Sequence, residues 1–168
     1  MRLDTSWHEL CSKKILSLEQ LLPMLERARA QQKSIATLNG AFDLLHAGHL
    51  YSFYEAAAQA DLLVVAVNSD RSVQKYKNPS RPIIPLKERM EMLASLACID
   101  FITWFEEQDP CQLLQAIRPD VHVNGAEYGQ NCLEAPLLEQ IGTRLHLVER
   151  VRGLSTSAII KKIGTLCD

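Results

Sequence analysis

Short apolar, β-rich runs alternate with helix-length segments from residue 34 onward, and this alternation is the strongest constraint on the fold. The runs at 34–38, 62–67, 100–104, 120–124 and 144–149 are short and nearly continuously apolar, as strands buried on both faces are. Helical patterns occupy about 48–60, 86–97, 110–117 and 134–141, with a last one at 156–163. Strands joined through helices run parallel, and their sheet needs cover on both faces. The expected fold is therefore α/β: a Rossmann-like three-layer sandwich around a central parallel sheet of about five strands. In such sheets a ligand binds at the carboxyl ends of the strands, where the strand order reverses.

Residues 1–16 have weak periodicity and read as an extension, with Trp7 available to pack on the body or on a partner. A helix is expected from Ser17, because Ser17 and Gln20 have the spacing of a capping box. It runs through Leu18, Leu21, Leu22 and Leu25, and Pro23 lies late enough to kink it. The chain thus divides into an N-terminal extension and helix over 1–33 and a main domain over 34–168. The stretch Lys75-Tyr76-Lys77-Asn78-Pro79-Ser80-Arg81-Pro82 breaks regular structure and reads as a mobile basic loop.

A formal net charge of −2 argues against a general affinity for nucleic acid, which needs clustered Lys and Arg, but leaves room for a local phosphate pocket. The five cysteines are scattered, odd in number and without a CxxC pair, so neither a zinc site nor a disulfide framework is indicated. Reduced thiols and the lack of a signal-peptide apolar core point to the cytoplasm. The apolar strand run Leu62–Val67 is far short of the ~20 residues that span a bilayer, so no membrane partner is expected.

Chemistry concentrates at residues 39–50, Asn39-Gly40-Ala41-Phe42-Asp43-Leu44-Leu45-His46-Ala47-Gly48-His49-Leu50, where a strand turns into a helix. His46 and His49 share a helix face. The first turn adds unpaired N–H groups and the positive end of the helix dipole, which favour phosphate. Gly40 and Gly48 are expected to allow close approach of backbone or phosphate. Two histidines three apart also suit a metal, but no HExxH pattern or third ligand lies nearby, so no metal ligand is assigned.

Three further clusters matter. Lys75, Lys77 and Arg81 read either as solvated surface or as a loop that closes over a triphosphate with mobile positive charge. Arg89, after Pro85, is expected to tie its helix to the core. Ser155 and its neighbours cap the last helix, and that helix start is also competent for phosphate. Asn124-Gly125-Ala126-Glu127-Tyr128 follows a strand and is either an ordinary turn or the wall of a base pocket.

These residues together resemble the nucleotidyltransferase superfamily that carries the HxGH signature. The closest likeness is to the adenylyltransferase domain of the bacterial bifunctional ADP-heptose synthesis enzyme. It extends over roughly residues 14–168 and rests on NGxFDLLHAGH at 39–49, AVNSDxSV at 66–73, RPIIPLKERMEMLASL at 81–96, FEE at 105–107 and LSTSAIIKKI at 154–163. Glycerol-3-phosphate cytidylyltransferases are similar at greater distance.

The resemblance implies an enzyme that transfers AMP from ATP to a sugar 1-phosphate, D-glycero-β-D-manno-heptose 1-phosphate foremost, with release of pyrophosphate. Catalysis would fall to His46, His49 and Lys77. Asn39, Ala41, Phe42 and Gly48 would contact the nucleotide, as would Asn124, Gly125 and Glu127 at the base. Arg150, Gly153, Ser155, Thr156 and Ser157 would hold its phosphates, while Asp43 and Lys75 would meet the acceptor. Mg²⁺ would be carried mainly by the nucleotide phosphates.

The family's Lys-Gly-Gly-Asp-Tyr appears here as Asn124 to Tyr128, and its Ser-Thr-Thr-Asn helix start as Ser155-Thr156-Ser157-Ala158. The bifunctional enzyme carries a sugar kinase ahead of this domain, so dependence on a separate kinase is expected. Two alternatives stand beside this reading: a cytidylyltransferase acting on glycerol 3-phosphate or an amino-alcohol phosphate, and a nucleotide-sensing or scaffold protein with little catalysis. Relatives commonly self-associate, which leaves a homo-oligomer open, with the apolar segment 92–104 as interface or core. Lipopolysaccharide core, capsule and surface-layer glycan routes would all use such a product.

Overall fold

A computed structural model describes residues 6–149, 151 and 153–166. Five strands form one parallel sheet: β1 (Ile35–Gly40), β2 (Leu62–Asn68), β3 (Phe101–Phe105), β4 (Val121–Gly125) and β5 (Arg144–Val148). Their spatial order is β3-β2-β1-β4-β5, so the order reverses between β1 and β4. The expected strands are all present, shifted by at most a residue or two at their ends. The crossover helices are α3 (Ala47–Ala57), α5 (Leu86–Ala94), α6 (Cys111–Ile117) and α7 (Ala135–Ile141), with α8 (Thr156–Gly164) after β5. Among the described residues no helix is long and apolar enough to cross a membrane.

Alternation along each strand sends side chains to two faces. On one face Leu38, Val65, Ile102 and Val123 pack with Phe53 of α3 and Leu93 of α5. On the other, Ile35, Val64 and Phe105 pack with Leu113 and Ile117 of α6 and with Leu21 and Leu25 of α2 (Leu18–Ala30). Burial on both faces is why the strands read as unbroken apolar runs. The apolar segment 92–104 belongs to this core, where Leu93, Ala94, Ile99 and Ile102 are fully buried.

Helix α2 starts as expected, with Ser17 accepting from the Gln20 amide and the Gln20 side chain accepting from the Ser17 amide. It continues through Pro23. The missing N–H would have paired with the carbonyl of Glu19, an exposed residue whose oxygen water can satisfy.

Two expectations fail. The extension at the N-terminus contains a helix, α1 (Trp7–Lys14), capped by Ser6, which accepts from the Glu9 amide. After it, Ile15 bridges Ile102, and the Leu16 amide donates to the Ile102 carbonyl at 2.9 Å, so this segment lines the edge of β3. The basic stretch is helical in its first part: α4 (Asp70–Tyr76) runs from an Ser69 cap to its C-cap at Lys77. The irregular connection therefore begins only at Lys77.

One buried group gives the fold a pH dependence. His122 on β4 is fully buried, with Nδ1 2.8 Å from the Thr37 hydroxyl and no hydrogen-bond partner for Nε2 among the described residues. Burial pushes its pKa down to about 4. The unfolded chain binds that proton near pH 6.5, so stability is complete above pH 6.5 and drains away as the pH falls toward 4. At 1.36 kcal/mol per pH unit the loss reaches about 3 kcal/mol. Urea unfolding at pH 7 and pH 4.5 is expected to show this loss in the wild type and a smaller one in His122→Asn. Equal losses in the two proteins would assign the acid lability elsewhere.

Candidate functional site

The site is built where β1 and β4 diverge. After Gly40 the chain turns through Phe42, whose φ of 47° lies in the left-handed region, a conformation that costs a non-glycine residue roughly 1–2 kcal/mol. Packing offsets that cost. The buried Phe42 ring lies 4.9 Å from the Phe53 ring and edge-on to His49 at 5.5 Å. Gly40 leaves room for this ring, because a Cβ there would sit 2.8 Å from Phe42 Cζ, and it also lines the cleft.

His46 is the N-cap of α3, extended at φ −145° and ψ 166°, and its carbonyl accepts from the His49 amide at 2.9 Å. The two imidazoles stack with centroids 3.8 Å apart and planes 17° from parallel. Gly48 makes room for this pair: a Cβ would come within 3.0 Å of His46 Nδ1 and 3.4 Å of Leu154 Cβ. The HxGH spacing is thus a packing requirement as well as a chemical one. Burial, then the neighbouring His46 and Lys77, hold the His49 pKa down at about 4. His49 is therefore a neutral hydrogen-bonding group in the free protein at pH 7. Its Nδ1 is buried without a hydrogen bond among the described residues, which leaves Nε2 as the nitrogen that opens on the cleft.

Helix α8 starts beside α3. Ser155 caps it by accepting from the Ala158 amide at 3.1 Å, and the Thr156 hydroxyl donates to the Leu44 carbonyl at 3.4 Å. Two helix N-termini thereby border one cleft. Its larger lobe, about 670 Å³, is lined by His46, Gly48, His49, Lys77 and Ser155 to Ser157. An adjoining lobe of about 430 Å³ takes in Asn39, Ala41, Phe42, Asn124, Asp109 and Glu134. His49, Lys77, Gly125, Glu127 and Thr156 border both. Burial, then the positive charge of Arg81, lowers the Lys77 pKa from the ordinary lysine value.

Most of the residues expected from the sequence meet here. Three do not fit their expected places. Lys75 lies in the last turn of α4, exposed and outside the lining of either lobe. Gly153 is likewise off the lining, and Arg150 lies outside the described residues. Asp43 borders the second lobe, but its carboxylate is already spent inside the protein. Oδ1 accepts from the amides of Ile83 and Ile84 at 2.8 and 2.9 Å, and Oδ2 pairs with Arg81 Nε at 2.6 Å. Asp43 thus pins the segment after α4 instead of offering a free contact to a substrate.

Other lining residues escaped the sequence reading. Ser52 lies one turn beyond His49 on the same helix face, a spacing that marks it. Asn68, Gln108 and Asp109 follow from the rule that ligands gather at strand carboxyl ends, since they close or follow β2 and β3. Arg89 is fully buried and ties three segments together. It donates to the carbonyls of Ile84, Ala41 and Asn68 and pairs with Asp70 at 2.8 Å. Its expected role, joining its helix to the core, extends to fixing the loop that carries Phe42.

Known proteins resemble this chain in sequence and in fold. A family model described as cytidylyltransferase-like matches residues 37–164. The bifunctional protein HldE of Helicobacter pylori is 46% identical over 156 residues, which is 92% of this chain and 32% of the relative. HldE of Ectopseudomonas mendocina is 42% identical over 150 residues, covering 89% and 32%. The chain spans about a third of the length of these curated relatives. A Thermoplasma volcanium structure described as a lipopolysaccharide core biosynthesis protein aligns with TM-score 0.58 and 27% identity, covering 71% of this chain and 97% of that one. The pantoate-β-alanine ligase of Francisella tularensis, at TM-score 0.66, 19% identity and coverages of 89% and 72%, shares the fold.

Proposed function

The chain belongs to the cytidylyltransferase-like family of nucleotidyltransferases, and from that premise we propose that it transfers AMP from ATP to a sugar 1-phosphate, D-glycero-β-D-manno-heptose 1-phosphate foremost. The observation that carries this reading is the two-lobed cleft. One lobe has the histidine pair and two helix starts, the arrangement that holds a polyphosphate. The other takes in Asn39, Ala41, Phe42 and Asn124, the residues expected to meet the nucleotide, together with Asp109 and Glu134, whose carboxylates suit the hydroxyls of a sugar, and Lys77 borders both lobes. The choice of sugar rests on the motif likeness to the ADP-heptose enzyme, and the description of the Thermoplasma relative accords with it.

In this mechanism an oxygen of the sugar phosphate attacks the α-phosphorus of ATP. The bond from that phosphorus to the bridging oxygen breaks, and pyrophosphate leaves with the electron pair. The attacking phosphate is already anionic near neutral pH, so no general base is needed. What remains is positioning and stabilisation of charge on the phosphoryl oxygens. His49, neutral in the free protein, and His46 donate to those oxygens, the first-turn amides of α3 and α8 add to them, and Lys77 offsets charge on the departing pyrophosphate.

Among the described residues no cluster of three or more His, Cys, Asp or Glu is placed to hold a metal, and the Asp43 carboxylate is committed. Mg²⁺ would be carried mainly by the nucleotide's own oxygens and water, and there it would neutralise phosphate charge. The reaction belongs in the cytosol with its ATP, and a sugar kinase must supply the acceptor.

A panel crossing ATP and CTP with heptose 1-phosphate and glycerol 3-phosphate, read by pyrophosphate release, tests the proposal. ATP with heptose 1-phosphate is expected to turn over fastest. Fastest release from CTP with glycerol 3-phosphate would favour a cytidylyltransferase. Tight nucleotide binding without turnover on any acceptor would favour a sensor.

A further inference from the structure

Arg81 stands apart from the motif residues but lines the larger lobe beside Lys77. Its side chain is only 15% exposed, and Asp43, at 1%, holds it through Nε. That carboxylate cannot swing away, because its second oxygen is fixed by the Ile83 and Ile84 amides. The Arg81 amide also donates to the Asn78 carbonyl at 2.9 Å, which closes the turn from the other side. Arg81 is therefore a fixed cation, not a mobile one. Among the described residues its side chain bonds only through Nε, which leaves the Nη donors to water in the free protein. A planar fork of this kind fits phosphate oxygens, which can replace that water.

Charge points the same way. Lys77 and Arg81 repel one another, one factor lowering the Lys77 pKa, and a phosphate lying between them attracts both. Lys77 borders both lobes, whereas Arg81 borders only the larger, the lobe that holds the histidine pair and the start of α8.

We propose that Arg81, oriented by the buried Asp43, binds the terminal phosphates of the nucleotide and makes the cleft select a triphosphate over a monophosphate. This rests on the nucleotidyl-transfer reading of the cleft. Asp43 is the positioning residue of the pair.

Calorimetric titration of the full chain with ATP, AMP and inorganic tripolyphosphate tests it. Arg81→Ala is expected to weaken ATP and tripolyphosphate by about 10- to 100-fold, the range for lost hydrogen bonds to charged groups, and AMP by less than about 3-fold. Arg81→Lys keeps the charge but loses the fork, and should recover only part of the loss. Asp43→Asn can still accept from the two amides while releasing Arg81, so it should weaken tripolyphosphate more than AMP. Unchanged ATP affinity in Arg81→Ala, or equal weakening of ATP and AMP, would overturn the proposal. If Arg81→Ala fails to fold, Arg81→Gln decides by the same comparison. A wild-type protein that binds neither ATP nor tripolyphosphate would instead overturn the nucleotidyl-transfer reading, and this proposal with it.

Discussion

Replacing His49 with alanine is expected to lower turnover by roughly 10²–10³-fold, the usual cost of removing one donor aimed at transition-state charge. The size of the effect follows from how His49 is held. Its ring is stacked on His46 at 3.8 Å and fixed edge-on by Phe42, so its donor needs no reorganisation when charge develops. Burial keeps it neutral, with a pKa of about 4, so it contributes a directed hydrogen bond and not a diffuse positive charge. Steady-state rates on a variant with an unchanged circular dichroism spectrum check this. A folded His49→Ala protein that turns over at the wild-type rate would remove His49 from the chemistry.

The second large effect is on stability. Arg89→Met roughly preserves volume but leaves the carbonyls of Ala41, Asn68 and Ile84 without their donor. Asp70, the ionic partner, has a side chain 42% exposed and can be rehydrated, so the orphaned carbonyls dominate the cost. A loss of about 3–5 kcal/mol is expected, comparable to breaking a buried ion pair. Against a typical total of about 5–15 kcal/mol, that leaves the domain marginal. Urea unfolding measures it, and a loss below about 1 kcal/mol would show that the loops do not depend on this tie. The same tie fixes Ala41 beside Phe42, so stability and site geometry should fail together.

The sheet and its crossover helices were legible because burial on both faces leaves a signal in each strand. Helices α1 and α4 were not. Helix α1 buries none of its residues, so it has no apolar stripe to read. Helix α4 is seven residues long with only Ser72 and Val73 buried, too short for a period to emerge, although Ser69 and Ser72 are spaced as cap and third residue. The motif residues of the cleft were legible because local spacing fixes them: His46, Gly48 and His49 belong to one helix start. The partners of Asp43 were not, because Arg81, Ile83 and Ile84 lie 38 to 41 residues away and only the fold brings them together. Lys75 was misplaced for a related reason. Taking 75–82 as one loop put it beside Lys77, whereas the helix turns it away.

On the proposed mechanism, an adenylyl group passes from ATP to a sugar phosphate within this cleft. ATP labelled at its α-phosphate, incubated with heptose 1-phosphate and the protein, tests that transfer most directly. The label is expected in a nucleotide sugar, with one pyrophosphate released for each label moved. Label that stays in ATP, or appears as AMP or ADP without a sugar product, would contradict the account.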